Sequence, residues 1–141
     1  MSRDRRSSRI LAMQALCQWE VQGDVSSEPL AEFLGAQDAS PDAIAYATEL
    51  VQTFWRQQAD IDPRITAASI KWDLARISPV DRNTMRVAIV ELLGGEVPVK
   101  VVLDEAIEIG REYGGEESPR FINGVLDAVF QGIQTTAGKD E

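Results

Sequence analysis

Apolar residues along this chain return mostly every three or four positions, the period of a helix that presents one face to a core. Ile10, Met13, Leu16, Cys17 and Val21 form such a stripe and predict an amphipathic helix over 8–21. Met85, Ala88, Ile89, Leu92 and Leu93 form a second, with Val80 at its entry, and Val99, Val102, Leu103, Ala106, Ile109 and Tyr113 a third. Both predict helices buried along one side. Strand-like alternation is nearly absent.

Punctuation agrees with this periodicity. Ser40-Pro41, Ser78-Pro79 and Ser118-Pro119 each place a capping hydroxyl before a proline, and Asp62-Pro63 repeats the pattern with a carboxylate. Proline at the first helical position loses nothing, because its missing N–H would have no partner there. Helices are therefore expected to begin near 41, 63, 79 and 119, with others over about 28–35 and 99–113 and a short turn over 72–76. Asp81, three residues after Ser78, approximates a capping box. Gly94-Gly95 and Gly114-Gly115 follow two of the stripes as stop signals suited to a left-handed residue.

One passage points two ways. Asn123-Gly124 between apolar residues is a hairpin signal, but Phe121, Ile122, Val125, Leu126, Val129, Phe130 and Ile133 recur in a helical frame that runs past it. The longer pattern predicts a helix. Gly124 inside it costs about 1 kcal/mol relative to alanine, which predicts a close approach there by another backbone or a ligand. The small, polar stretch 135–141 is expected to be a flexible tail, leaving 1–134 as a single all-helical domain of about seven helices.

Composition narrows the function. The chain has 141 residues, enough for one core, with no apolar run that could span a membrane. Gln14, Gln18 and Glu20 interrupt the apolar stretch that a signal peptide would need, so the expected location is the cytoplasm. Histidine is absent and Cys17 is the sole cysteine. That excludes an internal disulfide, Ser-His or Cys-His nucleophiles and the usual transition-metal clusters. The carboxylates lie scattered over outer helical faces, so no enzyme, metal site or cofactor is expected. Cys17, on the apolar side of its helix, reads as packing.

Charge is unevenly placed. Residues 1–9 carry four arginines and one aspartate, a net of +3, and the remaining 132 residues carry −12, giving the overall −9. Arginine forks pair bidentately with phosphate oxygens, and each neutralised phosphate releases counterions, so a basic tip on an acidic protein points to nucleic acid. A solvated, frayed end is the other reading. Arg5 and Arg9 are four apart and share a helical face, and Arg6 is offset by one position.

Three segments together resemble the NusB family of bacterial transcription antitermination factors. The first is Arg5-Arg6-Ser7-Ser8-Arg9, running into Ala12-Met13-Gln14-Ala15-Leu16-Cys17-Gln18-Trp19-Glu20. The second is Arg76-Ile77-Ser78-Pro79-Val80-Asp81-Arg82 with Met85-Arg86-Val87-Ala88-Ile89 and Glu91-Leu92. The third, the most specific, is Val97-Pro98-Val99-Lys100 through Asp104-Glu105-Ala106-Ile107-Glu108-Ile109, then Ser118-Pro119-Arg120-Phe121-Ile122-Asn123-Gly124-Val125-Leu126-Asp127. The likeness covers nearly the whole chain and is weakest over 25–68.

The resemblance implies two packed helical sub-bundles and a function. Members bind the single-stranded boxA element of ribosomal RNA operon leaders together with NusE, a ribosomal protein, and join RNA polymerase with other Nus factors to suppress premature termination. It places Arg5, Arg6 and Arg9 on RNA, Lys100 beside it, and Phe121 either stacked on a base or packed in the core. Asn123 and Gly124 belong to the same surface or only cap and pack. Asp81, Arg82 and Arg86 fall where the family meets NusE or RNA, with a structural ion pair as the other reading of Arg86. The family's first helix often carries an aromatic at the position of Cys17, and Asp4 lies inside the basic cluster, departures that imply a weaker arm and more dependence on NusE.

Two other roles fit the same residues. NusB-like domains also stand at the front of ribosomal RNA cytosine methyltransferases, although no methyl-donor domain follows within these 141 residues. Some members pair with themselves, so a self-associating regulatory homodimer is the second.

Overall fold

The computed structural model describes residues 2–23, 27–70 and 72–139, with side chains in 4–23, 28–70 and 72–134. Six α-helices follow one another: α1 (Ser2–Gln22), α2 (Ser27–Gly35), α3 (Pro41–Ala68), α4 (Pro79–Gly94), α5 (Val99–Tyr113) and α6 (Ser118–Lys139). A 3₁₀ turn, Leu74–Arg76, leads into α4 and accounts for a seventh helical element. Among the described residues there is no strand, and no helix is long and apolar enough to cross a membrane.

The serine caps form as the sequence implies. Ser40 Oγ accepts from the Ala43 N–H at 3.1 Å and Ser78 Oγ from the Asp81 N–H at 3.3 Å, each with proline in the first turn that follows. Ser118 differs: it is already the first residue of α6, and its Oγ accepts from the Gly115 N–H at 2.9 Å. Gly95 closes α4 in the left-handed region at φ +73°. Gly114 ends α5 at φ −95°, so chirality is not its reason. A Cβ there would overlap Ser118 Oγ and lie 2.7 Å from the Gly110 carbonyl oxygen.

Four expectations change. No helix starts at Pro63, because α3 runs straight through it, merging two expected helices into one of 28 residues. Asp62 does not cap; its carboxylate is taken by Arg86 from α4. The first helix starts at Ser2 rather than near Ser8, so the arginines lie inside its first turns. Gly124 sits in α6 with open space where a Cβ would be, so among the described residues no other backbone makes the expected close approach. The close approach is at Gly110 instead, where a Cβ would fall 2.5 Å from Ile122 Cδ1 of α6. Helical backbone continues through the stretch assigned to the tail as far as Lys139; residues 140 and 141 lie outside the described residues.

Helices α1–α3 form one sub-bundle and α4–α6 the other, joined where α4 packs on α1 and α3 and α6 packs on α3. The core contains Leu16, Phe54, Ile61, Ile65, Met85, Ile89, Ile122 and Leu126, all fully buried. Helix α4 lies at the centre and is buried nearly all round from Asp81 to Leu92. A helix buried on every face normally carries apolar residues only. This one also buries Asn83, Arg86 and Glu91, and those charges organise the surface features described next.

Candidate nucleic-acid interface

The N-terminal arginines are held by carboxylates of α4 and α5. Arg9 is only 5 % exposed. Its Nε and Nη2 donate to the two oxygens of Glu91 at 2.8 and 3.1 Å, and its Nη1 donates to Glu105 Oε1 at 3.2 Å. Tyr46 of α3 adds its hydroxyl to Glu91 Oε2 at 2.5 Å. Burial raises the Tyr46 phenol above its ordinary pKa, and the neighbouring Glu91 carboxylate adds to the rise, so Tyr46 stays a donor. Arg9 is thus a structural pin between α1, α4 and α5, its donors turned away from solvent.

Arg6 is different. Its side chain is 51 % exposed, yet its Nε and Nη2 both donate to Glu105 Oε2, at 3.0 and 2.5 Å. The hydrogen bond and charge of Glu105 raise the Arg6 pKa further, with Glu108 and Glu112 acting in the same direction from α5. Arg5 lies with its guanidinium 3.7 Å above the Tyr46 ring, a cation–π contact, and among the described residues it forms no ion pair. It borders a polar cleft of about 310 Å³ with Asp4, Asp42 and Glu49. Lys100, in the first turn of α5, is 86 % exposed and pairs at 3.2 Å with Asp104 one turn on.

A second network occupies the middle of α4. Arg86 donates bidentately to Asp62 at 2.9 and 2.8 Å, to Glu20 at 2.8 Å and to the Asn83 side-chain oxygen at 3.0 Å, and its guanidinium lies 4.8 Å from the Phe54 ring centroid. Arg82 holds Glu20 with two bonds at 2.7 and 2.8 Å and caps the carbonyls of Leu74 and Ile77. Burial opposes ionisation of Glu20, but hydrogen bonds from Arg82 and Asn83 and the charges of Arg82 and Arg86 outweigh it and hold its carboxyl below the ordinary range. Arg82 and Arg86 therefore work first inside the fold. Cys17 borders this network, half-buried, accepting from Asn83 Nδ2 at 3.4 Å, and burial pushes its thiol pKa up.

The aromatic motif lies elsewhere. One face of Phe121 packs on the core, and the ring also lines two open clefts of about 670 and 470 Å³ that share Trp72 and Glu117. Phe121 thus packs on the core and leaves part of its ring facing the two clefts. The larger cleft is bordered by Gly124, Arg120 and Ile70, the last 95 % exposed. The smaller reaches Arg76 and Asp81, whose Oδ1 is buried without a hydrogen-bond partner. Asn123 is exposed on the same helix.

The structure does not gather these residues into one patch. Glu91, which anchors Arg9, and Asp81, which borders the Phe121 cleft, are ten residues apart on α4, about 15 Å along its axis. Arg5, Arg6, Arg9 and Lys100 belong to the C-terminal end of α4; Phe121, Gly124 and Asp81 belong to its N-terminal end. Tyr46, Glu20, Asp62, Glu91, Glu105 and Trp72 are the contributors that pattern reading missed. One signal for them was present. Met85 to Leu93 is apolar except for Arg86 and Glu91, and charges in a helix apolar on every face must be paired.

A helical scaffold with an arginine arm at one end of α4 and an aromatic cleft at the other has the form of a helical binding module. Residues 6–131 match the model of the NusB family, and the chain is 40 % identical over 134 residues to the transcription antitermination protein NusB of Anaeromyxobacter dehalogenans strain 2CP-1, covering 94 % of both chains. The chain belongs to the NusB family. The structure of NusB from T. maritima superimposes with a TM-score of 0.80 at 35 % identity, covering 90 % of each chain. A solved structure of antitermination factors NusB and NusE in complex with dsRNA superimposes at 0.83 and 28 % identity, covering 94 % of this chain and 99 % of that one.

Proposed function

We propose that this chain is a transcription antitermination factor that binds boxA RNA of ribosomal RNA operon leaders together with NusE, in a complex with RNA polymerase and other Nus factors in the cytoplasm. The observation that carries this is the full-length likeness to NusB proteins, including one solved with NusE and RNA. Each patch then has a part. Arg5, Arg6 and Lys100, the exposed cations at the C-terminal end of α4, contact phosphates. Phe121 and Trp72 offer aromatic faces to an unstacked base, with Asn123 and Gly124 beside them, and such stacking contributes about 1–3 kcal/mol per base. Arg9 supports the arm from within. Asp81, with its unpartnered oxygen, and the Arg82 and Arg86 network behind it form the region offered to NusE.

The test is fluorescence anisotropy with a boxA oligonucleotide and a scrambled one of equal length, each with and without NusE. Tighter binding of boxA, enhanced by NusE, is the expected result. Equal binding of the two RNAs in both conditions would remove the sequence-specific role.

A further inference from the structure

We propose that Glu105 is a specificity-determining residue: its carboxylate bridges Arg6 and Arg9 and masks the arginine arm from RNA that lacks the right sequence. The inference rests on the RNA-binding function proposed above.

The geometry supports this. Glu105 gives one oxygen to Arg6 and the other to Arg9, while Glu91 takes the rest of Arg9. Two arginines thus face two carboxylates, and this part of the tip contributes no net charge. Arg9 is already buried and doubly held without Arg6, so the Arg6 contact is not needed to anchor the helix. It lies at the surface, where Arg6 is half-exposed and Glu105 only slightly so. Lys100 is matched by Asp104 in the same way. A phosphate must therefore share or displace Glu105 to reach Arg6, with Glu108 and Glu112 of the same helix opposing it.

Such an arrangement weakens attraction to any polyanion, because fewer uncompensated cations release fewer counterions. RNA that also fills the aromatic cleft or engages the partner has other contacts to offset the cost, and scrambled RNA does not. Discrimination then arises from a built-in repulsive element.

The experiment uses the full chain with boxA RNA, scrambled RNA and heparin, titrated over a range of salt. Glu105→Gln is expected to bind scrambled RNA and heparin roughly fivefold more tightly, the scale of one partly exposed charge pair. Its salt slope should steepen by about 0.7, one additional phosphate on a single strand. Affinity for boxA should change less. The double variant R6Q/E105Q should lose the gain, since it passes through Arg6. If Glu105→Gln impairs folding, as a melting curve would show, the exposed Glu108→Gln should produce a smaller change of the same sign. Unchanged or weaker polyanion binding by a folded Glu105→Gln would overturn the proposal, the weaker result making Glu105 a support for Arg6. Wild-type protein that fails to distinguish boxA from scrambled RNA, with and without NusE, would instead remove the sequence-specific role proposed above, and the heparin titration would still decide whether Glu105 masks Arg6.

Discussion

Arginines of similar appearance in the sequence carry different loads. Arg5, Arg6 and Arg9 lie within five positions, yet one stacks on a tyrosine, one shares a surface carboxylate and one is buried in a two-carboxylate cage. Spacing placed Arg5 and Arg9 on one helical face, and burial depth along that face then separated them. The same depth governs Glu20, whose carboxyl is stabilised as the anion by Arg82, Asn83 and Arg86. A folded pKa below the unfolded value means stability is fully present above the unfolded value and is lost as the pH falls through the folded one. Acid unfolding below the ordinary carboxylate value of 4.5 should therefore depend on Glu20. Glu20→Gln is expected to cost roughly 1–3 kcal/mol near neutral pH, through unsatisfied buried donors, and to flatten the acid limb, as denaturant melts at a series of pH values would record. An acid limb as steep as wild type would assign it to other carboxylates.

Helix starts and stops were largely legible because caps act over three or four residues. Ser40, Ser78 and the glycine after α4 behave as their local chemistry dictates. Pro63 is the exception: a ring that breaks helices in isolation sits inside α3, because packing and the Asp62–Arg86 pair hold the backbone through it. The two glycines after α5 look alike in the sequence and differ in space. Gly114→Ala should destabilise the protein by about 1–3 kcal/mol through overlap with Ser118 and the Gly110 carbonyl. Gly115→Ala meets open space and should be close to neutral. Equal effects in urea denaturation would mean that the α5–α6 turn adjusts freely.

At the scale of the molecule, α4 separates the arginine arm from the aromatic cleft while belonging to both. Sites more than about 10 Å apart without shared partners act additively. The effects of Arg5→Ala and Phe121→Leu on boxA affinity should therefore sum in the double variant, measured by anisotropy. A coupling above about 0.5 kcal/mol would show one continuous site. The sequence by itself determined the all-helical class, most element boundaries and the family, because periodicity, caps and motif order are properties of neighbouring residues. Only the tertiary structure decided which charges face solvent. Arg9 finds Glu91 and Glu105 at 82 and 96 positions' distance along the chain, and no local pattern encodes a pairing made only when α1 packs on α4 and Arg9 reaches across to α5.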